Sequence, residues 1–211
     1  MKPEYGPTLG QLLAPRWHGA TPLVRRTTIV AGVALLAAIL TAVLTLQNAT
    51  FSHGGRVPFS FSYRGLYRTA PDPGGFVRVA RPHGGGAPRD SFAVDPLLLP
   101  PYSGSLAGEL PLYAAAYIRQ LSRRYQGFVL RGEGKAKVNS LPAYTVFYTA
   151  VLEGRPIYGR DVLLVAERPG AREGVAIVML TSALKPSKLS TPLEIGGSGI
   201  LQRPLKSFTL G

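Results

Sequence analysis

The sequence predicts an α+β domain, an antiparallel β-sheet flanked by helices, preceded by one transmembrane helix. Three patterns predict it. A long uncharged apolar run stands near the N-terminus, one amphipathic stretch follows in mid-chain, and behind that come four β-type segments separated by short turns rich in Pro or Gly. Consecutive strands joined by short turns pair antiparallel, and a lone helix ahead of them covers one sheet face.

The apolar run is Thr28–Leu46, TIVAGVALLAAILTAVLTL, without charge or proline. At about 1.5 Å per residue it reaches about 28 Å, close to a hydrocarbon core of about 30 Å. Its polar residues, Thr28, Thr41 and Thr45, can bond back to helix carbonyls. Arg25 and Arg26 abut its start, whereas the far flank is polar and uncharged until Arg56. The positive-inside rule then keeps the N-terminus cytoplasmic and puts the C-terminal domain outside the cytoplasm, in a single-pass cell-membrane protein. The leader ahead of the run is long for a signal peptide, and Gln47 occupies a position where cleavage wants a small residue, so a retained anchor is expected. The expected divisions are a cytoplasmic tail at 1–27, the span at 28–47, a tether at 48–56 and the extracytoplasmic domain at 57–211.

The chain has no cysteine and a net charge of +13. The first fact excludes disulfides, thiol nucleophiles and thiolate metal sites. Four basic residues against Glu4 leave +3 before the span and +10 after it. A basic outer domain favours acidic protein partners, anionic lipid or anionic envelope polymer, although an Arg-, Gly-, Ala- and Pro-rich composition produces the same excess without a partner.

Within the domain, VPFSFSY at Val57–Tyr63 alternates apolar and small polar residues, as a strand with one buried face does. Gly74–Arg81 and Ser91–Leu99 read as two further strands, separated by a glycine-rich loop at Arg81–Asp90. Leu110–Tyr125 is the helix. Pro111 fits its first position, Leu110, Ala114, Tyr117, Ile118, Leu121 and Tyr125 form its apolar stripe, and Gly127 is expected as its C-terminal cap. Strands are then expected at Phe128–Val138, Ala143–Leu152, Ile157–Glu167 and Val175–Ser182. The near-continuous apolar runs in the last two mark central strands. In the tail, Ile200, Leu201, Leu205 and Phe208 form a packing segment in which Pro204 forbids a long helix.

This order of elements resembles the PsbP-like fold, which implies an α/β/α sandwich. The resemblance is carried by VPFSFSY, the single helix before the meander, Ser140-Leu141-Pro142-Ala143-Tyr144 ahead of a long strand, the strand pair that follows, and Leu205-Lys206-Ser207-Phe208 near the end. It spans about residues 57–208 and implies a binding or accessory role rather than an enzymatic one.

The chain carries few of the residue patterns that support catalysis or metal binding. His18, His53 and His83 have no metal-ligand spacing, and Gly197-Ser198-Gly199 lacks the frame of a nucleophile elbow and reads as a turn. No cofactor motif is present. Glu133, Glu153, Asp161 and Glu167 lie on or near the meander, and Asp161, inside a strand beside Arg160, stands out among them. The expected explanation is a cross-strand ion pair, and the alternative is a hydrolase using converging carboxylates around it. The cations gather: Arg119, Arg123 and Arg124 on the helix, and Arg131, Lys135 and Lys137 at even spacing on the next strand. They make the expected contact face for a protein or an anionic envelope component. Nucleic acid is disfavoured because the nearby tyrosines belong to the core. A structural subunit of a larger membrane complex is a further alternative.

Overall fold

The computed structural model describes residues 21–46, 48–81, 89–99, 106–165, 173–183 and 189–211. The chain divides into two units, 1–47 and 48–211. The first holds helix α1, Pro22–Leu46, whose described side chains are all exposed. It begins six residues before the expected span, so Arg25 and Arg26 lie within its first turns. Thr28 and Thr41 donate to the carbonyls of Val24 and Ala37, both at 2.8 Å, which satisfies the hydroxyls along an apolar helix.

The second unit is α+β. Its strands are β1 (Ala49–His53), β2 (Phe59–Tyr63), β3 (Tyr67–Thr69), β4 (Val77–Arg81), β5 (Asp90–Leu98), β6 (Gln126–Val138), β7 (Leu141–Leu152), β8 (Arg155–Val165), β9 (Glu173–Ser182) and β10 (Thr209–Leu210). Two further helices are α2 (Leu106–Arg124) and α3 (Gln202–Lys206). Seven strands form an antiparallel sheet in the order β3-β4-β5-β9-β8-β7-β6, and β1-β2-β10 form a small second sheet.

Strand alternation gives the large sheet two apolar faces, each with its own cover. On one face Ala150, Leu163, Val165 and Val178 meet the α2 stripe, where Leu110, Ala114, Leu121 and Tyr125 are buried as expected. On the other, Val162, Leu164, Ile177 and Met179 meet Phe59 and Phe61 of β2 together with Leu205 and Phe208 of the C-terminal segment. Phe208 stacks 5.7 Å from Phe59. Each such aromatic contributes about 1.5–3 kcal/mol by leaving water. Ser207 Oγ accepts from Ser62 N–H at 2.8 Å, fixing this segment to β2.

Several expectations change in detail. Residues 48–56 are not a plain tether, because Ala49–His53 pairs along β2 with Phe51 against the core. Helix α2 starts four residues earlier than expected. Pro111 therefore sits past its first turn and removes one backbone hydrogen bond there. Gly127, at φ +59, lies in β6 where the register slips, and does not cap the helix. The β6–β7 and β7–β8 turns are only two residues long. Asn139-Ser140 (φ 46 and 76) and Glu153-Gly154 (φ 51 and 75) have the paired positive φ of hairpin turns. Pro142 and Pro156 consequently fall in strands, opposite Lys137 and Val151. Each is one step beyond the pair flanking its turn, a position that exchanges no hydrogen bond with the hairpin partner, so proline costs that ladder nothing. His18, His83 and Glu167 lie outside the described residues.

Candidate functional site

The two-residue turn at Asn139-Ser140 sets the parity of β6. Its flanking residues, Val138 and Leu141, form the pair that exchanges both backbone hydrogen bonds. Ala136 and Ala143 repeat that arrangement two residues on. Lys135 and Lys137 are the alternate positions, paired with Tyr144 and Pro142, so their N–H and C=O groups point away from β7. Among the described residues β6 pairs only with β7, and it is 13 residues long. The opposite edge, β3, has three residues. The sheet thus exposes one long edge, and in its regular half the outward backbone groups belong to Glu133, Lys135 and Lys137.

The six cations expected as one face do not form one cluster. Arg119 and Arg123 are exposed on α2, without an ionic partner among the described residues. Arg124, in the same turn, is drawn aside by Asp72, whose carboxylate lies 2.7 Å from its guanidinium and also pairs with Arg78. Arg131 sits at a second slip in register, between Leu130 and Gly132, and its Nε donates to Thr149 Oγ1 at 3.2 Å. Thr149 is paired with Tyr158, which packs into the core beneath the small sheet. The bulge therefore sends Arg131 to the opposite face from Lys135, whose partner Tyr144 lies in the core beneath α2. Even spacing would have kept the three together only in a regular strand. Helix α2 and strand β6 also run in opposite directions from the short connection at Tyr125, which leaves Lys135 about 30 Å along the strand from Gln126. The regular half of β6, residues 133–138, retains Lys135 and Lys137, both exposed and without an acidic partner among the described residues. Glu133, on the same face, bonds instead to the Tyr144 hydroxyl.

Among the described residues Asp161 has no cationic partner in contact, contrary to the expected ion pair. Its neighbour Arg160 points to the other face, as alternation demands, where it stacks over Phe147 at 5.0 Å and donates to the Ile195 carbonyl at 2.8 Å. Asp161 itself faces α2, with 0% exposure. Tyr117 Oη of α2 donates to Oδ2 at 2.9 Å and Tyr148 Oη of β7 donates to Oδ1 at 3.2 Å. Gly159, directly opposite Tyr148, leaves the room that this ring occupies; a Cβ there would collide with it. Burial pushes the Asp161 carboxyl up to about 7, against the two phenol hydrogen bonds and the nearby Arg124, which pull it down. Burial also drives the Tyr117 and Tyr148 hydroxyls well up, so both stay protonated donors.

A second acidic group adjoins this one. Asp95 of β5 stands near Asp72, Arg78 and Arg124, and its buried Oδ1 has no hydrogen-bond partner among the described residues. Burial raises its pKa, while Arg124 and Arg78 oppose the rise. Gly75 is required beside it, since a Cβ would lie 2.6 Å from Oδ1. Asp161 does not line the cavity bounded by Arg81, Asp90 and Ile200 or the one bounded by His53, Phe76 and Leu97. Among the described residues no group of three His, Asp or Glu side chains is placed to hold a metal ion. His53 stacks on Phe59 at 5.1 Å and lies 4.6 Å from Phe76.

Sequence reading located the lysines but missed the outward orientation of their backbone. The signal was available in principle: Val138 flanks the turn, and alternation back from it turns the backbone groups of Lys137 and Lys135 outward. The tyrosine partners of Asp161 carried no local signal, since they come from a helix and a strand remote in sequence.

No protein-family model and no curated protein matches the sequence. By structure the chain is similar to the solution structure of cyanobacterial PsbP from Synechocystis sp. PCC 6803, with 11% identity and a TM-score of 0.50, covering 78% of this chain and 92% of that one. It is also similar to LpqN of Mycobacterium tuberculosis, described as involved in cell envelope biogenesis (11% identity, TM-score 0.49, 78% and 90% covered). A third likeness is to the Saccharomyces cerevisiae Ran-binding protein Mog1p (12% identity, TM-score 0.46, 78% and 95% covered). The likeness to cyanobacterial PsbP shows the fold: residues 48–211 form a PsbP-like α+β domain, as the order of sequence elements implies.

Proposed function

We propose that this chain is a membrane-anchored binding or accessory module whose domain docks an acidic, extended segment of a protein partner, outside the cytoplasm, through edge strand β6. The observation that carries the reading is a coincidence of register. The residues whose backbone donors and acceptors face outward on the regular half of the long edge are Glu133, Lys135 and Lys137; Glu133 is engaged by the Tyr144 hydroxyl, and the two lysines are exposed cations. An added strand would take its hydrogen bonds from their backbone and its charge complement from their ammonium groups. Arg119 and Arg123 on α2 supply a broader positive field that steers an acidic partner without contacting it closely.

Anchoring is supported by α1, which is long and apolar enough to cross a membrane by length and composition. Arg25 and Arg26 at its N-terminal end favour a cytoplasmic N-terminus. The PsbP-like fold is the frame for the docking surface.

The test is partner recovery after crosslinking in intact membranes. The double variant Lys135→Glu/Lys137→Glu should recover the partner at least tenfold less well than the natural chain, while Arg119→Glu/Arg123→Glu should reduce recovery less. Equal recovery by the lysine variant contradicts the assignment. Recovery of lipid or anionic polymer in place of a protein would reassign the occupant.

A further inference from the structure

Arg81 and Asp90 stand opposite one another on β4 and β5, and Thr181 of β9 continues the row. The next row inward, Val79, Phe92 and Met179, is buried in the core beneath the small sheet. The polar row therefore closes that face at the end of the sheet. Over it passes the turn from Gly196 to Leu201. Gly196 has φ +75, and a Cβ there would lie 2.7 Å from Leu205 Cδ2 and 3.2 Å from Arg160, so only glycine lets the turn approach this closely.

Between the turn and the row lies a cavity of about 330 Å³, which none of the docking residues lines. Its walls combine Arg81, Arg89, Asp90 and Ser198 with Ile200 and Leu201. Asp90 is already engaged: Thr181 Oγ1 donates to its Oδ1 at 2.7 Å, and Arg89 lies 3.8 Å from its Oδ2. Arg81 has no acidic partner among the described residues. Among the described residues the cavity thus offers one guanidinium without a carboxylate partner beside an aliphatic wall. A guanidinium in a concave, partly apolar site matches a carboxylate through paired N–H donors. The volume is that of a small-molecule site, and a medium-chain acid such as octanoate combines the two contacts in one probe.

We propose that this cavity binds a small amphiphilic monocarboxylate, with its carboxylate on Arg81 and its hydrocarbon part against Ile200 and Leu201. The site is separate from the β6 edge, so it stands or falls independently of the docking surface.

The experiment is calorimetric titration of the full chain in lipid nanodiscs with octanoate, octan-1-ol and inorganic phosphate, with empty nanodiscs as the reference for partitioning. Octanoate should bind saturably. Octan-1-ol and phosphate should each bind at least tenfold more weakly. Arg81→Gln, which removes the charge, and Ile200→Glu, which places a carboxylate on the apolar wall, should each weaken octanoate at least tenfold. Ile200 is half-buried, and a thermal melt matching the natural chain verifies its folding; if one variant fails to fold, the other decides. No saturable octanoate binding, or binding unchanged in the variants, overturns the proposal. Phosphate binding as well as octanoate overturns the hydrocarbon contact, and octan-1-ol binding as well overturns the carboxylate contact.

Discussion

Asp161 is a carboxyl group enclosed by a sheet on one side and a helix on the other, with two phenols as its hydrogen-bond donors. Its chemistry sets a pH dependence of folding. In the unfolded chain the group titrates near 3.8, and in the folded domain near 7. Below the lower value both states are protonated, and the folded state keeps its full stability. As pH rises from about 4 to about 7 the unfolded chain loses its proton first, so stability falls, and it levels off above about 7. Asp95, also raised by burial, acts in the same direction. The other groups facing Asp161 are Tyr117 and Tyr148, which remain protonated throughout, and Arg124, which remains charged. Asp161→Asn should therefore flatten the loss between pH 4.5 and pH 8, which in the natural chain is on the order of a few kcal/mol. Urea unfolding of residues 48–211 at the two pH values measures it; parallel curves for variant and natural domain would show that the buried carboxyl is not the source. The expectation of an ion pair at this position failed for a physical reason. Strand alternation sends Arg160 to the opposite face, and the compensating groups are uncharged phenols that sequence spacing does not point to.

At the scale of elements, the meander was legible because its turns and apolar runs are local features. Each strand from β6 to β9 starts within two residues of its expected position. What local reading could not supply was the irregularity of β6. The slips near Gly127 and Arg131 depend on how the strand enters from α2, and they decide which cations share a face. The cover of the second sheet face was visible only as the apolar residues Leu205 and Phe208, since a two-residue strand and a five-residue helix have no periodicity to detect. Asn139 joins these parts. Its Nδ2 donates to the carbonyls of Lys206 at 2.9 Å and Phe208 at 2.5 Å, tying the β6–β7 turn to the C-terminal segment. Asn139→Gly keeps the positive φ without strain and removes both bonds. It should cost about 1–2 kcal/mol, read as a lower urea midpoint at unchanged slope. A change below about 0.3 kcal/mol would mean that water replaces the tie without loss.

For the whole molecule, the two units divide the work: an apolar helix that can hold the chain at a bilayer, and a domain with its own two-sided core. Fractionation checks the division. The full chain should remain with membranes through alkaline carbonate extraction, whereas a chain lacking residues 1–47 should be recovered soluble with a cooperative thermal transition. Extraction of the full chain by carbonate would remove the anchor from the account. The domain is basic overall, but its cations fall into separate settings, on α2, on β6, paired with Asp72 and facing the cavity at Arg81, so net charge alone does not define the docking surface.

The edge of β6 is the point on which the functional account turns, and site-specific photocrosslinking in intact membranes probes it directly. A photoreactive side chain at Lys135 or Lys137 should give one discrete protein adduct, and the same group at Thr69 on the short opposite edge should give none. Adducts of equal yield from both edges, or from Thr69 alone, would contradict docking through β6.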